Sequence, residues 1–262
     1  MRQRMDFAAW SSRQVVTLRK LGFQVADKTL ARVLVELHNL GAFSAGLIVV
    51  GALSHMAWLN ELGIVVRLRQ ETARLPSGQP GLELGAPDTF LKSPLASKLP
   101  IARGEEPSGL SARIPGVEGL SIEFHTPGND MIVEVAGVDG QWTARADPNY
   151  DYLLTAPESG ALLAGGHCIP VLLPQAARLV WHTLFLSNQA HRLPVQASKD
   201  RQRSLVLAAA VMEHDPWALL TAWEQAPPAM AASLRPLRAT LLASLGPLPE
   251  LYDLFNDCLR SS

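Results

Sequence analysis

Charge is scarce in this 262-residue sequence, with Asp, Glu, Lys and Arg at 18% against roughly 25% in an average globular chain. With hydrophobic residues at 48%, that shortage excludes a disordered polymer and leaves ample material for a buried core. The two signs nearly cancel, 23 Lys plus Arg against 24 Asp plus Glu. A surface built throughout for nucleic-acid phosphates is therefore excluded, while a local basic patch is permitted. Cys168 and Cys258 are the only cysteines, too few for a disulfide framework and without the histidine spacing of a zinc site. No long apolar run exists: the stretch from Gly46 to Leu53 falls far short of the roughly 18 to 20 residues that span a bilayer. No apolar segment follows the N-terminal arginines either, so the expected location is the cytoplasm, away from membranes. Missing too are a Gly-x-Ser-x-Gly elbow, a phosphate loop and a His-Glu-x-x-His helix.

What is present divides into two kinds of sequence. Leu30, Val33, Leu34, Leu37 and Leu40 recur at spacings of three and four, which predicts a helix that Asp27 is placed to cap. Leu47 to Val50 suits a buried strand, Gly51 a tight turn, and Ala52 to Leu62 a helix closed by Gly63. Ile64 to Leu68 then reads as a second strand, and prolines at 76, 80, 87 and 94 break the next stretch around one helix near Asp88 to Lys98. Alternation resumes at Leu120 to Glu123. Met131 to Val135 and Gln141 to Ala144 form a predicted hairpin around Val138-Asp139-Gly140. After Tyr150, alanine and leucine dominate stretches separated by Pro194, Pro216 and Pro227-Pro228, which predicts a helical bundle. The expectation is an α+β chain, with a mixed-sheet domain over residues 1–150 and a helical domain over residues 151–262.

A strand, glycine turn, helix, further acid-bearing strands and then helices is the layout of the nucleotidyltransferase fold. Glycine lets backbone N–H groups approach phosphate oxygens at a helix N-terminus. Carboxylates on the following strands can hold Mg²⁺, which neutralises phosphate charge. Val49-Val50-Gly51-Ala52-Leu53-Ser54-His55 resembles the glycine-turn motif of a bacterial nucleotidyltransferase-like family related to abortive-infection toxins. Asp151 to Leu154, Ala161 to Gly166, Val180 to Leu184 and Ser198-Lys199-Asp200 follow in that family's order, so that the likeness runs over roughly residues 28–215.

The resemblance implies Mg²⁺-dependent transfer of a nucleoside monophosphate from an NTP to a hydroxyl on RNA or protein. It places Gly51, Ser54 and Lys199 at the nucleotide's phosphates, with Glu71 and Glu123 as catalytic carboxylates and metal ligands. It also implies a toxin–antitoxin setting; the apolar stripes of the last hundred residues are most simply core, with Trp217, Trp223 and the leucines after Leu234 as the alternative, a surface for a protein partner on the helical domain. The sequence departs from the family pattern at Ala73, where the Asp-x-Asp pair has its second acid, and at Thr183, where a lysine is usual. A site that is catalytically degenerate, on a fold retained for binding or scaffolding, is the alternative these departures imply.

Each residue also has a plain structural reading. Gly51 serves any strand-to-helix turn, and Ser54 near a helix start is by default backbone-bonded. Glu71 stands among Arg67, Arg69 and Arg74, as in a salt-bridged strand end. Glu123 lies between Ile122 and Phe124, and alternation turns it away from the face they share. Lys199 and Asp200 suit the surface or cap of a helix, and His182 the interior of one. His55, four residues after Gly51, suits either the cleft or the helix surface. Cys168, beside Ile169 and with no identifiable partner, reads as a buried structural cysteine.

Overall fold

The computed structural model describes residues 2–65, 81–103, 111–114, 117, 120–129, 131–138, 140–190 and 192–260. The chain divides into two compact units, Met1–Pro174 and Gln175–Ser262.

The first unit opens with helices α1 (Arg2–Lys20) and α2 (Lys28–Asn39). Asp27 caps α2 as the sequence predicts, its carboxylate accepting from the Thr29 and Leu30 amides at 2.8 and 2.9 Å. Of the predicted stripe, Leu30, Val33, Leu34 and Leu37 are buried, each contributing roughly 1.5–3 kcal/mol on leaving water, whereas Leu40 caps the helix end and is exposed. Strand β1 (Ile48–Val49) leads through Gly51 into α3 (Gly51–Glu61). Gly63 closes that turn at φ 69°, a left-handed conformation that glycine adopts without a Cβ penalty.

The next strand is β2 (Gly81–Gly85), which corrects the expected strand at Ile64 to Leu68. Residues 64 and 65 carry no strand, and the remainder of that segment lies outside the described residues. The predicted helix near Asp88 is only the short α4 (Asp88–Leu91) and a 3-10 turn at Ala96–Lys98. Strands β3 (Ala102–Arg103), β4 (Ser111–Arg113), β5 (Ser121–Pro127), β6 (Met131–Gly137) and β7 (Gly140–Asp147) follow. The β6–β7 hairpin is antiparallel, as its turn predicts. A one-turn helix, α5 (Tyr150–Leu154), precedes β8 (Glu158–Ala164) and β9 (His167–Leu173).

These strands make one mixed sheet in the order β3-β4-β5-β2-β1-β9-β8. On the edge of β5 away from β2, β4 pairs with its start and parallel β7 with its end, while β6 lies outside β7. Register puts Leu82 beside Ile122, Leu84 beside Phe124 and Phe124 beside Ala144. All five are fully or almost fully buried, and the Phe124 ring lies 4.4 Å from that of Trp142. One face of the sheet is thus the core. The residues between them, Glu83, Glu123, His125, Arg145 and Asp147, fall on the opposite face.

Because β8 and β9 extend this sheet, with β9 parallel to β1, the first unit continues to Pro174, past the boundary expected at residue 150. The stretch rich in alanine and leucine from 161 to 173 is strand because Leu162, Ile169, Val171 and Leu173 alternate into the core. Cys168 comes just before the inward-facing Ile169 at the start of β9 and is exposed, contrary to the buried cysteine expected, whereas Cys258 is buried.

The second unit is helical: α6 (Ala176–Ser187), α7 (Pro194–His214), α8 (Pro216–Glu224), α9 (Pro228–Leu234), α10 (Arg238–Ser244) and α11 (Pro249–Cys258). Proline opens four of these helices, where its missing N–H costs no hydrogen bond. Trp181 is fully buried, with Trp223 at 4.8 Å, Phe255 at 4.7 Å and its indole N–H donating to the Leu219 carbonyl at 2.9 Å. Among the described residues, no helix is long and apolar enough to cross a membrane.

Candidate functional site

The acid-bearing face of the sheet gathers the chemistry of the first unit. Glu83 on β2 and Glu123 on β5 are register partners on parallel neighbouring strands, so their side chains leave the sheet side by side. Unscreened, two carboxylates about 5 Å apart at an effective dielectric near 20 repel by about 3 kcal/mol, so opposite charge is required nearby. Gly51, at φ 66°, starts α3 beside Glu83. A Cβ there would fall 2.5 Å from Glu83 Oε1 and 2.6 Å from its Cδ. Only glycine fits this turn, both for its backbone angle and because the carboxylate lies against it.

Two residues beyond Glu123 on the same face is His125, almost fully buried. Its Nδ1 lies 2.7 Å from Asp147 Oδ2, and its Nε2 lies 3.8 Å from Glu123 Oε2. Arg145 Nε holds the other Asp147 oxygen at 2.6 Å. The Tyr150 ring stacks on the imidazole, with centroids 5.0 Å apart and planes 13° from parallel. Burial favours the neutral imidazole, but the hydrogen bond to Asp147 and the charges of Glu83, Asp147 and Glu123 together outweigh it and hold the pKa of His125 above its ordinary value. His125 thus stands among three carboxylates that favour its charged form, with the Arg145 guanidinium behind Asp147.

A divalent cation is what the fold resemblance implies here, and the described residues do not fit one. On the face of β2 that carries Glu83, the positions two residues either way are Gly81 and Gly85, so neither can supply the second acid of an Asp-x-Asp pair. At Gly85 the room is taken: a Cβ would overlap the Leu154 side chain of α5. Among the described residues no group of three or more His, Cys, Asp or Glu side chains is placed to hold a metal ion.

Of the residues expected from sequence, Gly51 and Glu123 belong to this face or its rim. Glu71 and Ala73 lie outside the described residues. Ser54 is buried within α3, its hydroxyl donating to the Gly51 carbonyl at 2.8 Å. His55 is buried as well, with Nδ1 3.1 Å from the same carbonyl. Lys199 is half-buried on α7 of the second unit. Its neighbour Asp200 is buried and takes Arg192 at 2.6 and 2.7 Å, an ion pair that ties the segment before α7 to that helix. His182 and Thr183 are buried in α6. None of the expected site residues lines the open cleft of α2 and the β8–β9 turn, where Lys28, Arg32, Glu36 and His167 stand.

Five members of the site were not expected: Glu83, His125, Arg145, Asp147 and Tyr150. The signal for Glu83 is present in Leu82-Glu83-Leu84, which repeats the apolar-acid-apolar pattern of Ile122-Glu123-Phe124.

Residues 100–228 match the model of a nucleotidyltransferase family. Over those residues, just under half of the chain, the sequence is similar to that family. The match takes in Glu123, His125, Asp147 and Lys199, and it starts after Gly51 and Glu83. No curated protein and no solved structure matches the chain.

Proposed function

We propose that this chain is a nucleotidyltransferase-fold protein whose transfer site is degenerate, and that it works as a binding or scaffold protein. The observation that carries this reading is the pair of glycines flanking Glu83, with Leu154 seated over Gly85. A site built to bring two metal-bridged oxygens into line needs its carboxylates placed to within about 0.5 Å. One acid of the expected pair has no counterpart on β2, and the space beside it is filled. The ligands of the binding role are a nucleotide, through the Gly51 turn, and a protein partner on the helical unit. On that unit Trp217 is 72% exposed at the start of α8, which suits an aromatic anchor.

One observation favours a second reading, Mg²⁺-dependent transfer of a nucleoside monophosphate to a hydroxyl on RNA or protein: Glu83 and Glu123 remain in register beside the glycine turn. Incubation of the full chain with α-labelled NTP, Mg²⁺ and RNA or protein acceptors separates the two. No label enters any acceptor under the first reading. Label that depends on Mg²⁺ and disappears in Glu123→Gln would establish the second.

A further inference from the structure

We propose that the basic face formed by α1, α2 and the β8–β9 turn binds the phosphodiester backbone of a single-stranded nucleic acid. The inference goes beyond the reading above. None of the residues on the acid-bearing face of the sheet lines this cleft, and the inference holds whether or not the transfer site is active.

Charge carries it first. The chain as a whole is near neutral, yet its charge is segregated: residues 2–39, which span α1 and α2, hold seven Lys and Arg against three Asp and Glu, and the other residues 16 against 21. Such an asymmetry marks a surface for a polyanion. One of the three acids, Asp27, is spent on the Thr29 and Leu30 amides at 2.8 and 2.9 Å, so the end of α2 is capped from within and the side-chain cations are what a ligand meets. Lys28 and Arg32, one helical turn apart on the same face, line an open cleft of about 630 Å³ together with His167 of the β8–β9 turn. Glu36 is the one acid of that lining among the described residues. The volume is that of a small-ligand site, too small for a duplex and sufficient for a nucleotide or two of one strand.

Rigidity carries it second. Gly165, at φ 52°, presses so closely on α2 that a Cβ would fall 2.7 Å from Ala31 Cβ and 3.1 Å from Lys28 Cα. The Ala26 amide donates to the Leu163 carbonyl at 2.8 Å and the Gly165 amide to the Ala26 carbonyl at 3.0 Å, which holds the turn against the start of α2. At the other end His38 Nδ1 lies 3.2 Å from the Pro170 carbonyl oxygen. The cations thus stand on a preorganised framework, which lowers the ordering cost of binding. A lipid surface fits this face less well, because it needs an apolar stripe. On α1 the exposed Trp10 and Val16 are followed at three and four residues, on the same faces, by Arg13 and Lys20. An acidic protein fits less well too, since stable protein interfaces centre on aromatic anchors and the cleft lining holds none among the described residues.

The test follows, by fluorescence anisotropy, a labelled RNA of about 20 nucleotides and a DNA of the same sequence as they bind the full chain between about 50 and 200 mM salt. Binding of either strand that weakens as salt rises is expected. Lys28→Gln/Arg32→Gln is expected to lower affinity roughly tenfold or more and to flatten the log–log salt slope by about 1.4, the value for two phosphate contacts on a single strand. Lys92→Gln on α4, which does not line the cleft, is expected to change neither. No binding of either strand at the lower salt, or equal binding by the double variant, overturns the proposal. Displacement of the strand by polyglutamate as readily as by unlabelled RNA overturns it in favour of an acidic protein. Both substituted positions are exposed; if the double variant nonetheless does not fold, hydrogen exchange of the wild type with and without RNA decides. Added protection in α2 and the β8–β9 turn is expected, and none there overturns the proposal.

Discussion

His125 joins the sequence, the fold and the chemistry of this protein at the scale of one residue. A buried histidine whose pKa is raised by neighbouring carboxylates stabilises the fold through its charged form. That contribution is complete below the ordinary imidazole pKa of 6.5 and is lost as pH rises through the higher value His125 has in the folded chain. Urea unfolding of the wild type from about pH 6 to pH 9 is therefore expected to show stability falling with pH. In Asp147→Asn, which removes the hydrogen-bonded charge, the fall is expected to be smaller; an equal fall in both proteins would contradict this assignment. Little of it was legible beforehand. Alternation placed Glu123 on the face away from Ile122 and Phe124, and His125 shares that face by the same count. The partner that most favours the charged form of His125, Asp147, is twenty-two residues away and reaches it only through the parallel pairing of β5 with β7.

At the scale of elements, local signals located what depends on local physics and missed what depends on pairing. The Asp27 cap, the Gly51 and Gly63 turns and the β6–β7 hairpin are all set within a few residues, and all were readable. The strand carrying Glu83 was not, because Ile64 to Leu68 is the more β-branched segment while Gly81–Gly85 has glycine at both ends. What makes the latter a strand is its position between β1 and β5. Likewise β8 and β9 sit in alanine- and leucine-rich sequence and are strands because they complete the sheet beside β1. The packing of α5 on β2 carries a prediction. Gly85→Asp, which restores an acid two residues from Glu83, is expected to destabilise the protein by about 2 kcal/mol or more through overlap with Leu154. Gly85→Asp/Leu154→Ala is expected to recover part of that loss. Denaturant midpoints measure both, and a stable Gly85→Asp single variant would show that α5 leaves room for the acid.

At the scale of the molecule, a chain poor in charge has spent several of its charges in one place. Of its 24 acidic residues, Glu83, Glu123 and Asp147 share one face of the sheet, and His125 and Arg145 answer them there. On the degenerate-site reading proposed above, the chain should be indifferent to divalent metal. The most direct measurement is thermal unfolding of the full chain with each NTP at millimolar concentration, in Mg²⁺ and in EDTA. A ligand that binds the native state raises its stability by mass action, so metal-dependent binding would appear as a metal-dependent midpoint. The same midpoint is expected in Mg²⁺ and EDTA for every nucleotide. A rise that requires both Mg²⁺ and NTP and is lost in Glu123→Gln would contradict it.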